Sequence, residues 1–383
     1  MVTRTYWVKK IESLWQARSI VWLSGVRRIG KTSLCRSLDD VEYLDCELPR
    51  TRRAMEDTES FLASMKGKRL VLDEIHRLPN PAELLKIAAD HFPATRILAT
   101  GSSTLGASAK FRDTLTGRKH NLWLTPVLVN EMAAFGIDKL DRRMLHGGLP
   151  GFLLDDAPAE DDFQEWVDSF WAKDVQELFQ IERKAAFQRL IELILIESGG
   201  IWDASRFASA CEISRPTVSN YLSVLEQTYV AHVVRPYSQH RSSEIIASPR
   251  VYGFDTGFIC RYRGYSALRN EDRGLLLEHL VLNELQASVA RSGIHFWRNK
   301  RGLEVDFVIT RPGHNTVAIE CKWQADRFLP NGLLAFRRQY PLGSNYVVAG
   351  DVDRPYTRSF DGFQTQFVGP QDIGECAAKD AVS

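Results

Sequence analysis

The chain has no run of eighteen apolar residues, no CxxC pair, no low-complexity tract and no internal repeat. Each absence removes a class of protein. Without a long apolar run, no helix is expected to span a bilayer. Without paired cysteines there is neither a disulfide framework nor a zinc site: Cys35, Cys46, Cys211, Cys260, Cys321 and Cys376 lie scattered and are expected as reduced, packed residues. An excess of charge of either sign is also missing, with 49 basic against 48 acidic residues and a net charge of +1. A global basic field is excluded, so any nucleic-acid contact must come from local patches. The opening "MVTRTYWVKKIESLW" lacks an apolar core followed by a small-residue cleavage site, so a cytoplasmic location is the expectation.

What is present is an ordinary globular balance, 44% hydrophobic and 25% charged over 383 residues, enough for two or three domains. Residues 1–150 alternate strand-like and helix-like patterns. The apolar runs Ile20–Leu23, Val41–Leu44, Leu70–Leu72 and Ile97–Ala99 are typical of doubly covered parallel strands, which predicts an α/β sandwich. Residues 151–265 read as helical and then strand-like, and residues 266–370 as one long helix followed by strands. Residues 371–383, rich in Ala, Asp and Gly, read as a loose tail.

"GVRRIGKTS" fits G-x-x-x-x-G-K-[ST] with Gly25, Gly30, Lys31 and Thr32, and Ser33 closes the motif. It follows a predicted strand and opens a predicted helix, the context that a phosphate cradle needs. The glycines let backbone N–H groups turn toward phosphate oxygens, and a helix N-terminus adds positive partial charge. Lys31 is expected to reach the β- and γ-phosphates of ATP, and Thr32 to hold Mg²⁺. The apolar strand in "RLVLDEIH" ends in Asp73 and Glu74, which is costly unless a cation or solvent meets them. Asp73 would orient Mg²⁺ and its water, and Glu74 would polarise the attacking water. The bland alternatives are a chance glycine-rich turn and a solvated strand end.

This Walker A motif with internal arginines, the Asp-Glu Walker B and "ILATGSS" together resemble an AAA+ ATPase. The resemblance implies a P-loop parallel-sheet sandwich, ATP with Mg²⁺ as cofactors, and Ser102 at the sensor-1 position, with Ser103 the alternative. "LTGRKHNLWLTPVLVNEM" is similar to the family's Gly-Arg, Leu-x-Pro and Glu segment. By that likeness Arg118 is the candidate finger for a neighbouring subunit's γ-phosphate, which implies a homo-oligomer. Arg112 is the second candidate, and a plain surface arginine the bland reading. Lys139, Arg142 and Arg143 read as solvated charges.

In the middle segment "RFASACEISRPTVSNYLSVLE" has helix–turn–helix form, with Phe207, Ala208, Ile213, Val218, Leu222 and Leu225 inward. Ser214 is the expected N-cap, and Pro216 is tolerated in the first turn. Arg215, Thr217, Ser219 and Asn220 would then face outward. Strands at Tyr229–Val234 and Ile245–Tyr252 would form a wing, with Gln239, His240 and Arg241 in its loop. Such a winged helix–turn–helix either places its second helix in a DNA major groove or serves as an interdomain module.

"GLEVDFVITRPGHNTVAIECKW" reads as a hairpin of strands 303–310 and 316–323. If its turn centres on Gly313, Asp306 lies opposite Glu320. Alternation then puts Asp306, Glu320 and Lys322 on one face, and Val305, Phe307, Ile309, Val317, Ile319 and Cys321 on the other. Facing carboxylates repel, and Mg²⁺ or Mn²⁺ would relieve the repulsion. Lys322 could polarise the attacking water. In "RGLLLEHLVLNELQASVA", Glu278 falls within about 60° of Val281, Leu282, Leu285 and Val289, mid-stripe on an apolar face. It needs either the shared metal or an arginine such as Arg298 or Arg301.

A helical acid, then Asp, then Glu-x-Lys on adjacent strands resembles the PD-(D/E)xK nucleases, with Val305 where the motif's proline would stand. The resemblance implies an α/β nuclease-like C-terminal domain with a metal held by Glu278, Asp306 and Glu320. "HGGLP", "FWAKDVQEL", "SPRVYGFDTGF" and "GLLLEHLVLNEL" are similar to segments of proteins that join an AAA+ module to the domain called DUF4143. The reading that follows is an ATP-hydrolysing, metal-dependent DNA nuclease, acting on branched or single-stranded DNA in repair, recombination or defence. "HFWRNKRG" at 295–302 would hold the strand, or is a charged turn. The alternative is a nucleotide-dependent DNA- or protein-binding switch whose nuclease-like domain cuts nothing.

Overall fold

The computed structural model describes residues 2–101, 109–179, 181, 183–238 and 247–380. The N-terminal sheet contains β1 (Ile20–Ser24), β2 (Glu42–Asp45), β3 (Arg69–Asp73), β4 (Arg96–Thr100) and β5 (Lys119–Trp123), all parallel, in the order β2-β3-β4-β1-β5. Four of these are the apolar runs read from sequence. The edge strand β5 escaped notice because it is mostly polar and only Leu122 is buried. Alternate residues feed two cores. Val21, Leu23, Val71 and Leu98 pack toward α1 (Thr5–Ala17), which buries Trp7, Ile11 and Trp15 at helical spacing. Ile20, Trp22, Leu70, Leu72 and Ile97 pack toward α3 (Pro81–His91) through Leu84, Leu85 and Ala88. Between these helices in sequence, the short α2 (Lys31–Arg36) follows the glycine-rich loop.

The middle of the chain contributes α4 (Glu160–Phe170), a single π turn at Trp171–Val175, α5 (Lys184–Ile196), β6 (Gly200–Ile201), α6 (Ala204–Ala210), α7 (Arg215–Gln227), β7 (Ala231–Pro236) and β8 (Arg250–Gly253). The C-terminal part contributes α8 (Asn270–Ser288), β9 (Ile294–Arg298), β10 (Glu304–Ile309), β11 (Val317–Lys322), α9 (Asn331–Gln339), β12 (Asn345–Ala349), β13 (Tyr356–Phe360), β14 (Phe363–Val368) and α10 (Ile373–Asp380). Its sheet is mixed and does not stop at the middle segment. β7 pairs with β9 in parallel through Arg235–His295 and Pro236–Phe296, which joins nine strands in the order β13-β14-β12-β11-β10-β9-β7-β8-β6.

Two readings are corrected. Residues 373–380 are no loose tail: α10 packs on α8, buries Ile373 and Ala377, and receives the Tyr346 hydroxyl on Asp380 at 2.5 Å. Arg143, read as a solvated charge, is fully buried. Its Nε donates to Val127 O at 2.7 Å and its Nη1 to Thr256 Oγ1 at 3.0 Å. Arg142 does sit at the surface side, paired with Asp156 at 2.6 Å.

α8 ties the parts together. Its Glu284, 4% exposed, accepts the Val129 N–H at 2.7 Å. Burial pushes this carboxyl up to about 8, which the Val129 hydrogen bond and Arg143 only partly offset. Below the unfolded value of about 4.3 the group is neutral in both states. As pH rises toward 8 the unfolded chain gains a charge that the folded chain forgoes, so stability falls across that window. Glu284→Gln keeps the acceptor and removes the titration. We expect its Tm to match wild type at pH 4 and to exceed it by a few degrees at pH 8. Parallel Tm curves over that range would refute the assignment.

Candidate functional site

The loop between β1 and α2 wraps a cavity of about 500 Å³, a size suited to a nucleotide. Gly30 has φ +97°, a conformation that side chains avoid, and a Cβ on Gly25 would meet Leu124 O and Ile29 Cγ2 at 3.0 and 3.1 Å. Lys31 Nζ donates to Gly25 O at 2.8 Å and to Val26 O at 3.2 Å. Burial lowers its pKa, against the pull of Glu74, Asp174 and Asp73. Thr32 and Ser33 line the same cavity.

The acids end β3 as expected. Asp73 is 3% exposed and accepts from the Tyr43 hydroxyl at 2.6 Å and from the Thr100 hydroxyl. Thr100 in turn accepts the Glu74 N–H at 3.0 Å, so the ends of β3 and β4 are cross-linked. Glu74 has a left-handed backbone (φ +54°), which turns its carboxylate into the cavity beside His76 Nδ1 at 3.1 Å. Burial opposes its charge, but His76 and Lys31 outweigh this and hold the carboxyl below its usual value. Ser102 and Ser103 lie outside the described residues, as does the side chain of Arg112. Arg118 makes a two-pronged pair with Asp90 of its own chain, at 2.8 and 3.0 Å.

Sequence reasoning missed the wall opposite the loop. Arg27 pairs with Asp174 of the π turn at 3.5 Å, and Arg28 with Glu165 of α4 at 2.5 Å. Trp166 Nε1 donates to Arg27 O at 3.1 Å, and Lys173 lines the cavity. The signal in the sequence is "FWAKDVQEL", a Lys-Asp pair set between the buried Trp171 and Val175.

The segment expected as a helix–turn–helix consists of α6 and α7, joined by residues 211–214. Ser214 caps α7 through the Thr217 N–H at 3.2 Å, with Pro216 in the first turn. Arg215, Ser219 and Asn220 are exposed. Thr217 is instead half-buried, its hydroxyl 2.7 Å from that of Ser214. Gln239, His240 and Arg241 lie outside the described residues.

In the C-terminal sheet Phe307 pairs with Ile319 and Val308 with Ala318, a register that carries Asp306 opposite Glu320. The expected alternation holds for Phe307, Ile309, Val317, Ile319 and Cys321, which share one core, and fails at Val305. β10 shifts register against β9 between Val305 and Val308, so Val305 joins Val308 and Ala318 in the core under α9. Asp306, at the irregularity, accepts the Cys321 N–H at 2.8 Å. Glu320 follows Ala318 to the α9 face, where a Cβ on Gly332 would come within 2.7 Å of its Oε1. Glu278 belongs to α8 on the opposite face and accepts from the Tyr252 hydroxyl at 3.3 Å.

The three acids therefore approach from two sides and do not form the expected shared metal site. Among the described residues no group of three His, Cys, Asp or Glu side chains is placed to hold a metal. Two cations stand among them instead. Lys322 Nζ lies 3.0 Å from Glu320 and 3.8 Å from Asp306. Arg250, from β8, pairs with Glu304 and reaches Asp306 at 3.9 Å. Arg298 pairs with Glu304 at 3.3 Å rather than with Glu278. Burial and the nearby Asp306 raise both Glu278 and Glu320 to about 8. Burial thus disfavours their charged forms, and Arg250 and Lys322 stand beside the carboxylates of Glu304, Asp306 and Glu320.

Residues 17–133 match a family model described as an AAA domain, residues 137–269 one described as a domain of unknown function (DUF8612), and residues 273–361 another (DUF4143). An N-terminal AAA+-like domain and a C-terminal DUF4143 domain are thus present. Uncharacterized proteins of Mycobacterium tuberculosis and Mycobacterium bovis are each 27% identical over 308 residues, covering 77% of this chain and 68% of theirs. Among solved structures, a DNA replication initiation factor matches 49% of this chain and 66% of its own at 16% identity, with a TM-score of 0.26. The structure of Drosophila ORC bound to GC-rich DNA and Cdc6 covers 68% of this chain and 90% of its own at 10% identity, with a TM-score of 0.23. Likenesses this distant carry no argument about function. No helix among the described residues is long and apolar enough to cross a membrane.

Proposed function

We propose that this chain is an ATP-dependent binding switch, with DNA as its partner and a C-terminal nuclease-like domain that serves as a scaffold and cuts nothing. The glycine loop, Lys31 and the cavity fit a nucleoside triphosphate, and Thr32 with Asp73 would hold its Mg²⁺. Bound ATP would supply the phosphoanhydride whose hydrolysis drives the switch. Glu74, turned into the cavity and kept ionised by His76 and Lys31, would take the proton of the attacking water. Ser102 stays the proposed sensor, and an arginine finger in a homo-oligomer stays part of the proposal. The link to the rest of the chain runs through Arg27 and Arg28. Acids of the helical segment hold these guanidiniums at the rim of the cavity, so an anionic ligand there competes with Asp174 and Glu165 for the same charges.

The element order α5-β6-α6-α7-β7-β8 supports a winged helix that presents Arg215, Ser219 and Asn220 to DNA. The helical acid, Asp306, Glu320 and Lys322 support a PD-(D/E)xK ancestry for the last domain. One observation favours the scaffold over an active nuclease: Arg250 and Lys322 already neutralise the carboxylate cluster. The test incubates full-length protein at pH 7.5 with linear, single-stranded and branched DNA, with Mg²⁺ or Mn²⁺, with and without ATP. ATP turnover and ATP-dependent DNA retention without cleavage are expected. Metal-dependent cutting that disappears in Asp306→Ala would instead establish the nuclease.

A further inference from the structure

A second cavity, of about 320 Å³, opens between β7, the C-terminal end of α7, and the turn that follows α8. It shares no lining residue with the glycine-loop cavity, and it is remote in sequence from Asp306 and Glu320. Its defining group is Arg291. This guanidinium lies over the faces of Trp123 and Tyr229, 5.4 and 5.1 Å from the ring centroids, and those two rings are themselves stacked. Its Nη2 donates to His232 Nδ1 at 3.2 Å. Among the described residues no carboxylate lies within 4 Å of it. Burial lowers its pKa, with Tyr229 and Glu226 opposing. A half-buried cation fixed by aromatic faces, with no acid paired to it, is a costly arrangement unless an anion completes it.

A second group in the same cavity points the same way. Gln286 of α8 is 9% exposed, and its Oε1 is buried with no hydrogen-bond partner. An unpaired buried carbonyl is costly, and a ligand N–H or O–H would recover that cost. Glu226 and Arg235 stand at the same cavity, so its charge is mixed rather than uniformly basic. That suits a compact ligand with one acidic group and one donor better than a polyanion.

From these observations we infer that the cavity beside Arg291 and Gln286 binds a small molecule that carries a carboxylate or phosphate together with a hydrogen-bond donor. Arg291 takes the acidic group and Gln286 Oε1 takes the donor. The occupant would sit next to Tyr229, whose hydroxyl accepts from Ser24 Oγ at 3.0 Å, one residue before Gly25 of the glycine loop. The binding itself does not depend on ATP being the ligand of that loop.

The test uses the full chain carrying Lys31→Ala, so that the glycine loop does not compete for phosphate. It is titrated with glycerol 3-phosphate in one arm and L-glutamate in the other, against sodium chloride at matched ionic strength. Calorimetry and thermal unfolding are the readouts. Saturable binding in one arm is expected, and the arm that responds identifies phosphate or carboxylate as the acidic group. Gln286→Leu and Arg291→Met should each weaken it by about tenfold or more, and Arg291→Lys by less. Absence of saturable binding in both arms overturns the inference. So does binding of undiminished strength in Gln286→Leu, a variant that leaves the aromatic stack on Arg291 intact should Arg291→Met not fold.

Discussion

Lys31→Ala removes ATP turnover, lowering kcat/KM by at least about a hundredfold, while thermal unfolding stays within about 2 °C of wild type. The expectation follows from where the ammonium is held. Gly25 O and Val26 O grip it inside the cavity, with Glu74 and Asp73 near enough to oppose the loss of its charge on burial. It is held by the loop's own carbonyls, whereas Arg27 and Arg28, also at the cavity, are already engaged by the helical segment and cannot simply take its place. Stability changes little because water entering the cavity can satisfy the two freed carbonyls. Glu74→Gln separates binding from chemistry: nucleotide affinity should survive, and turnover should fall by a comparable factor. Turnover retained in Lys31→Ala would remove the nucleotide assignment, and turnover retained in Glu74→Gln would remove only the general base.

The parts legible from sequence are those set by local rules. The parallel strands showed as short apolar runs, Ser214 as a cap, and the Asp306–Glu320 register followed from a turn at Gly313, which does adopt φ +81°. What stayed hidden depends on long-range placement. Nothing near Asp306 in sequence announces that Arg250, fifty-six residues earlier, will enter its cluster from another strand. A hairpin pattern does not reveal the shift beside β9 that breaks alternation at Val305. The acids behind Arg27 and Arg28 come from α4 and the π turn, and only tertiary packing brings them to the glycine loop. α10 reads as a tail because its composition is small and polar, yet Ile373 and Ala377 are enough to seat it on α8.

The same contrast explains several segments that carried a family resemblance without a role. "HGGLP" and "FDTGF" interlock around Arg143. Asp255 accepts the Gly148 N–H at 2.7 Å and the Gly257 N–H at 2.9 Å. A side chain on Gly147 would collide with Asp255, one on Gly148 with the Arg143 guanidinium, and one on Gly257 with His146 O. These glycines are there for close approach, and only Gly147, at φ +82°, also needs an unusual backbone.

Arg143→Ala is therefore the substitution with the largest expected cost in stability, about 3–5 kcal/mol, seen as a Tm lowered by on the order of ten degrees. The side chain is fully buried, and its hydrogen bonds join the loop after β5 at Val127 to the helix start at Thr256. Its removal opens a void against Gly148 and strands the buried Asp255, whose carboxyl burial already raises above its usual value with Arg143 as the chief opposing charge. That second cost can be isolated. Asp255→Asn keeps an acceptor oxygen and removes the charge, so the double variant should be less destabilised than the sum of the two singles. The coupling should be about 1 kcal/mol or more. Arg143→Lys retains charge but cannot reach Val127 O and Thr256 Oγ1 together, and should recover less than half of the loss. An unchanged Tm in Arg143→Ala would mean that this buried guanidinium does not hold the N-terminal sheet to the segment behind it.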